Sequence, residues 1–236
     1  MTKHRVRGLV EHYKLRVYKM LRVWQKRLLI QQKPIDLTFD EPASSTPLEL
    51  DAGRYEVWLV GGGGGGAMYS SSNVGATKYY AMGGVGGVLH VIIYVPSKTT
   101  VSVIVGGNGK SKFHTSPYVL TTGGGYSSIT GLTDATITAG GGSGAKITSA
   151  SSYTPGVQGT NTATGINILS VIENNVNTII SGTDVSSAAE NESTAIQNIN
   201  YLPDTHKGRG GGFSWTSSTL TAQNGGPGFV RIKSVN

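Results

Sequence analysis

The 236 residues suffice for one sizeable core with an appendage or two small ones, and the absence of cysteine excludes a disulfide staple and a thiolate metal site. The net charge of +7 is gathered at one end: residues 1–33 carry ten Lys or Arg against the single acid Glu11, while the remainder, with ten basic and twelve acidic residues, is slightly negative. The protein therefore reads as a near-neutral body with a cationic arm. No apolar run approaches the roughly 18 residues of a spanning helix. The basic N-terminus also lacks the apolar centre of a signal peptide, so synthesis in the cytoplasm is the expectation.

The arm, residues 1–33, reads as an amphipathic helix unbroken by proline before Pro34. Val6, Val10, Tyr13, Val17, Met20 and Trp24 recur at spacings of four and three, which is a heptad seam. Lys14, Arg16, Lys19, Arg22, Lys26 and Arg27 supply its charge. Three roles fit: self-association or packing as a short coiled coil, docking into a partner's acidic-rimmed groove, and binding to nucleic acid or a membrane surface. For the last the arm offers charge but no specificity. Pro34 stops the helix, and residues 34–47, with Pro34, Pro42 and Pro47, read as a connector.

From Leu48 the pattern is β. Tyr55, Val57 and Leu59 alternate with Glu56, Trp58 and Val60, the period of a pleated strand. Six glycines follow, Gly61, Gly62, Gly63, Gly64, Gly65 and Gly66. After a small, polar stretch at 67–80 comes the strongest strand, 88–95, apolar on both faces, where His90 reads as a hydrogen-bonded core or face residue. Pro96-Ser97-Lys98 is a turn, and residues 100–105 return with Val101, Val103 and Val105 on one face, a predicted hairpin. Gly109-Lys110-Ser111 is no phosphate loop, because the glycine that motif requires at 104 is Ile. Short strands are expected at 126–130 and 135–139, and a strand at a sheet face or edge at 229–233. Residues 145–207 form a Ser/Thr/Asn-rich insertion whose apolar centre, 166–180, fits a helix and a hairpin equally well.

Glycine keeps returning. Seven clusters hold 27 of the 35 glycines, among them Gly140, Gly141, Gly142 and Gly210, Gly211, Gly212, and most abut a strand-like run, so they punctuate the chain rather than space it. Alone, six glycines behave as flexible linker. Extended threefold chains bearing only hydrogen approach closely and pair their backbone groups, so the tracts are expected to order one another on a β-scaffold. The alternative is loose glycine-rich loops. The histidines, His4, His12, His90, His114 and His206, are scattered singly. No chelating spacing or nucleophile–base pair suggests a metal, a cofactor or an enzyme.

Taken in order, the strand ending Val57-Trp58-Leu59-Val60 before polyglycine, Gly86-Gly87-Val88, Val95-Pro96-Ser97-Lys98-Thr99-Thr100, Val103-Ile104-Val105-Gly106-Gly107-Asn108-Gly109, Ala139-Gly140-Gly141-Gly142 and Gly225-Gly226-Pro227-Gly228-Phe229-Val230-Arg231-Ile232 resemble a known arrangement. It is that of the glycine-rich domain of bacteriophage tail-fibre, head-fibre and adhesin proteins, also met in bacterial surface proteins. The glycine-rich extracellular module of anaplastic lymphoma kinase looks distantly similar. The likeness covers about residues 48–144 and 208–236, leaving the arm and the insertion outside. It implies a mainly β fold, a jelly-roll-like sandwich related to tumour-necrosis-factor-like folds with polyglycine helices inserted, and it implies binding rather than catalysis.

The expected protein is a virion component without cofactor. Its arm docks into the particle, its 48–236 domain is displayed to a host-surface glycan or protein, and its heptad seam packs as a trimer. A non-enzymatic bacterial cell-surface module is the alternative.

Overall fold

A computed structural model describes residues 33–70, 78–115, 118–149, 152–174, 181–183, 207–211, 213–216 and 219–235. The seam residues Val10, Tyr13, Val17, Met20 and Trp24, the arm's basic residues, His206 and Gly212 lie outside the described residues. Every described element is a β-strand.

Two five-stranded antiparallel sheets share one core. The first runs in the order Asp36–Phe39, Phe229–Val235, Gly53–Val60, Val88–Val95, Ile168–Asn174, and the second Asn161–Gly165, Ala135–Ala139, Ser127–Thr130, Thr99–Val105, Ala43–Leu50. Tyr55, Val57, Leu59, Val91 and Ile232 of the first sheet face Val101, Val103, Ile129 and Ile137 of the second, all buried. Each is the alternate residue of its strand, so the period-2 pattern selects which face turns inward.

Four local expectations are corrected or narrowed. Val88–Val95 and Thr99–Val105 are joined by a short turn yet lie in opposite sheets, so the predicted hairpin is a crossing: the same valine faces that suggested pairing meet across the core instead. Phe229–Val235 is the expected strand, and because it is flanked on both sides, by Asp36–Phe39 and Gly53–Val60, the edge placement is excluded. Within 34–47, read as connector, the chain already forms Asp36–Phe39 and begins Ala43–Leu50; Pro47 is accommodated because Ala43–Leu50 is an edge strand. Ile168–Asn174 is a strand paired with Val88–Val95 and not the helix considered for it; 175–180, where the second arm of the alternative hairpin falls, lies outside the described residues.

Between this sandwich and a set of small outer sheets run the glycine tracts. Residues 61–66, 106–111 and 140–145 lead outward, and 82–87, 121–126, 155–160 and 223–228 return, each spanning six residues between strands. Residues 208–211 run in the outward sense. The central tract donates with a period of three: Gly61 and Gly64 to Gly87 and Gly84, Gly62 and Gly65 to Gly125 and Thr122, Gly63 and Gly66 to Gly226 and Gln223, at 2.8–3.1 Å. It accepts from the three outward tracts, at Gly62 from Gly142, at Gly63 from Gly109 and at Gly64 from Gly211, at 2.7–2.9 Å. Three residues per turn is the pitch of an extended polyproline-II helix, whose three faces here meet different neighbours.

The six neighbours close a ring through their own bonds, among them Gly83 to Gly211, Gly84 to Ser143, Gly124 to Gly142, Gly125 to Gly107, Gly225 to Gly109 and Gly226 to Arg209. Glycine content follows the number of covered faces. The enclosed tract is all glycine. The ring tract 82–87 has side chains at every third residue, Met82 and Val85. The outer tract 155–160, seated on 82–87 and 140–145, keeps glycine at every third, Gly156 and Gly159.

Candidate functional site

The outward tracts carry the chain about 19 Å from the sandwich, at about 3.1 Å per residue, to a tip built from small sheets. One joins Ser181–Thr183, Lys78–Ala81, Ala67–Ser70 and Lys112–His114, and another Ser152–Thr154, Lys146–Ser149 and Val119–Leu120. The tip has its own apolar centre of Ala67, Tyr69, Ala81, Val119, Ala145 and Ile147. Tyr69 and Tyr79 stack with ring centroids 5.7 Å apart. On or next to the same tip strands Phe113, Tyr118 and Leu120 are exposed at 37%, 58% and 44%, with Lys112 and His114 exposed on either side of Phe113. Exposed aromatic rings next to polar groups offer broad apolar faces at low conformational cost. Sequence reading missed these residues because no pattern within 112–120 separates a displayed ring from a buried one.

At the opposite end, the chain enters the sandwich beside its last strand. The Ser234 amide donates to the Ile35 carbonyl at 3.0 Å, and Asp36 pairs with Lys233, remote from the Phe229 end where the glycine tracts begin. The entry point and the tip therefore lie at opposite ends of the body.

The polar cluster on the outer face of the first sheet serves packing. His90 pairs with Glu56 at 2.9 Å and stacks on Trp58 with centroids 4.7 Å apart, so it is a hydrogen-bonded face histidine. Arg231 lies over the other side of the cluster, 5.2 Å from the Trp58 ring, and donates through Nε and Nη2 to both Asp36 oxygens at 2.8 and 2.7 Å. That guanidinium holds the Asp36 carboxyl below the usual carboxylate range. Among the described residues there is no group of three His, Asp or Glu able to hold a metal, and no helix long and apolar enough to cross a membrane.

Of the glycines singled out from sequence, Gly61 to Gly66 form the central tract, and Gly140, Gly141, Gly142, Gly210 and Gly211 lie in the ring around it. Ser127 pins the lattice to the sandwich: its buried hydroxyl donates to the Val60 carbonyl at 2.6 Å and accepts from the Gly106 amide at 3.0 Å.

No protein-family model and no curated protein matches the chain.

Proposed function

We propose that this chain is a structural or receptor-binding component of a bacteriophage particle. Its N-terminal arm docks into the virion, and the glycine-supported tip faces outward toward a host-surface glycan or protein. The observation that carries this reading is the polarity of the body: residues 34–36 enter at one end, and Phe113, Tyr118 and Leu120 are exposed at the other, beyond a rigid shaft. A threefold shaft in which backbone pairs with backbone transmits position without side-chain flexibility, which suits a display element.

The two antiparallel sheets, with crossings at 96–98 and 166–167, fit a jelly-roll-like sandwich. Assembly as a trimer through Val10, Tyr13, Val17, Met20 and Trp24 places the arm on the symmetry axis. The role is binding, with no catalysis and no cofactor, and the site of action is the virion after synthesis in the host cytoplasm. Deleting residues 1–33 is expected to leave a folded body that no longer incorporates into particles; truncated protein at full occupancy in purified particles overturns the anchor role. The exposed aromatic tip equally suits a bacterial cell-surface adhesion module, and recovery of the protein from the surface of cells lacking any prophage decides for that alternative.

A further inference from the structure

The ring around the central tract contains two grooves of the same construction, one filled and one open. In the filled groove the outer tract 155–160 lies on 82–87 and 140–145: Gly140 donates to Thr160, and Gly159 donates to the Val85 carbonyl. The steric need for glycine at 140 follows, because a Cβ there would press on the Thr160 backbone. The tracts 121–126 and 106–111 stand in the same relation to the centre. Gly65 donates to Thr122 as Gly64 does to Gly84, and Thr122 donates to Lys110 as Gly84 does to Ser143.

Moving three residues back from Lys110 and Ser143 makes Gly107 the counterpart of Gly140, and moving one residue on from Thr122 and Gly84 makes Gly123 the counterpart of Val85. No segment of the described chain lies there. The Gly107 amide and the Gly123 carbonyl have no backbone partner among the described residues. A Cβ on Gly107 would meet nothing within 4 Å among the described residues, and its φ is not in the left-handed region, so neither their packing nor the local conformation requires glycine at 107.

The open groove widens toward the sandwich into a cleft of about 380 Å³ lined by Pro42, Ala43, Ile104, Gly107, Gly125 and Tyr126. Among the described residues the difference between the two grooves has a structural origin. In the filled groove the strand Asn161–Gly165, which flanks Ala135–Ala139, is preceded by the outer tract; in the open one the equivalent flanking strand, Ala43–Leu50 beside Thr99–Val105, is preceded by residues 40–42. The Lys207 ammonium holds the Asp40 carbonyl at 2.7 Å, on the side of the 208–211 tract.

We infer that this open groove is a docking slot for an extended, glycine-punctuated segment of a different protein, of the form x-Gly-x-x-Gly in a polyproline-II conformation. The occupant's chemistry is that of the segment already seated in the equivalent groove, Pro155-Gly156-Val157-Gln158-Gly159-Thr160. Glycine at every third position lets its backbone reach the ring; one carbonyl accepts from Gly107, one amide donates to Gly123, and Pro42 and Tyr126 supply the aromatic and prolyl surface on which such helices dock. Within residues 1–236 no spare segment of this form exists, since outside the tracts no two glycines stand three apart, and the inferred segment belongs to another protein. The inference is independent of the display role.

The test titrates a synthetic peptide of sequence Thr-Pro-Gly-Val-Gln-Gly-Thr-Asn into the full-length 15N-labelled protein. Saturable shifts are expected at the Gly107 and Gly123 amides, and none from the same peptide with both glycines replaced by alanine. Gly107→Leu fills the slot and is expected to weaken binding at least tenfold while leaving the unfolding midpoint unchanged. Gly107→Pro, which deletes the donor, is expected to weaken binding likewise and serves if the leucine variant misfolds. Absence of saturation at millimolar peptide, shifts at Gly84 and Gly140 in place of Gly107, or undiminished binding by folded variants overturns the assignment. Saturation of the slot by a soluble oligosaccharide but not by the peptide overturns it too.

Discussion

Replacing Gly63 by alanine tests the lattice at its most enclosed point. The added Cβ would lie within 3.0 Å of the Arg209 carbonyl and of the Gly208 oxygen, all backbone, so no side chain can rotate aside and the 208–211 tract must move. The tract's backbone hydrogen bonds move with it, among them Gly226 to Arg209 and Gly86 to Gly208, both 2.7 Å. Overpacking costs about 1–3 kcal/mol, and two net hydrogen bonds about 1 kcal/mol each. Restricting the unfolded chain returns about 0.4–1 kcal/mol. The expected loss is about 2–4 kcal/mol, a large share of the roughly 5–15 kcal/mol that holds a domain folded. For a chain of this size it is a fall of roughly 4–16 °C in the thermal midpoint. The control is Gly107→Ala, where open space and an unexceptional φ predict a change between zero and about 1 kcal/mol of stabilisation. Both are read by urea unfolding with unchanged slope. If Gly63→Ala falls within about 0.5 kcal/mol of the parent, below the overpacking range, or Gly107→Ala proves as damaging, the tracts are not packed as described.

Other perturbations report on other parts of the body. Amides of Gly61 to Gly66 should exchange with solvent only through global opening, and exchange as fast as in an unstructured peptide would contradict their hydrogen bonding. Ser127→Ala leaves the Gly106 amide and the Val60 carbonyl buried without their shared partner and should cost about 1–3 kcal/mol in denaturant unfolding; a neutral result removes the pin between sandwich and lattice. Leu59→Ala, at a fully buried core position, should cost about 2–5 kcal/mol by the same assay. Asp36→Asn should cost at most about 1 kcal/mol, because the carboxylate is 46% exposed. Since the folded state lowers the Asp36 pKa, that contribution is complete above the ordinary carboxylate range and lost as pH falls through the lowered value. Stability curves of parent and variant should therefore converge in acid, and a gap that persists there refutes the ion pair as its cause.

The parts of the fold that are legible in the sequence are those set by local periodicity. Tyr55, Val57 and Leu59 declare their strand because every second residue is buried. The glycine clusters declare a regular device because no other residue fits a face closed by backbone. Partners are less legible. Pro96-Ser97-Lys98 is compatible with a hairpin and with a crossing between sheets, and only the second sheet's position, set by contacts far along the chain, decides between them. Prolines at 42 and 47 suggest a connector because a proline disrupts a central strand, yet an edge strand tolerates it. The exposed rings at 113 and 118 and the unoccupied groove at Gly107 carry no local signal. They emerge only when one tract is compared with another in three dimensions.

The equal length of the tracts has a consequence for how such a body can change. Adding or removing one residue in a single tract turns every later residue of that tract by a third of a revolution, so that Met82 or Val85, for instance, would swing into a space sized for hydrogen. The shaft can therefore be resized only by whole turns made in every segment together, whereas each tip loop is free to vary alone. A chain built this way keeps one fixed reach and is at liberty to exchange what it carries at the far end.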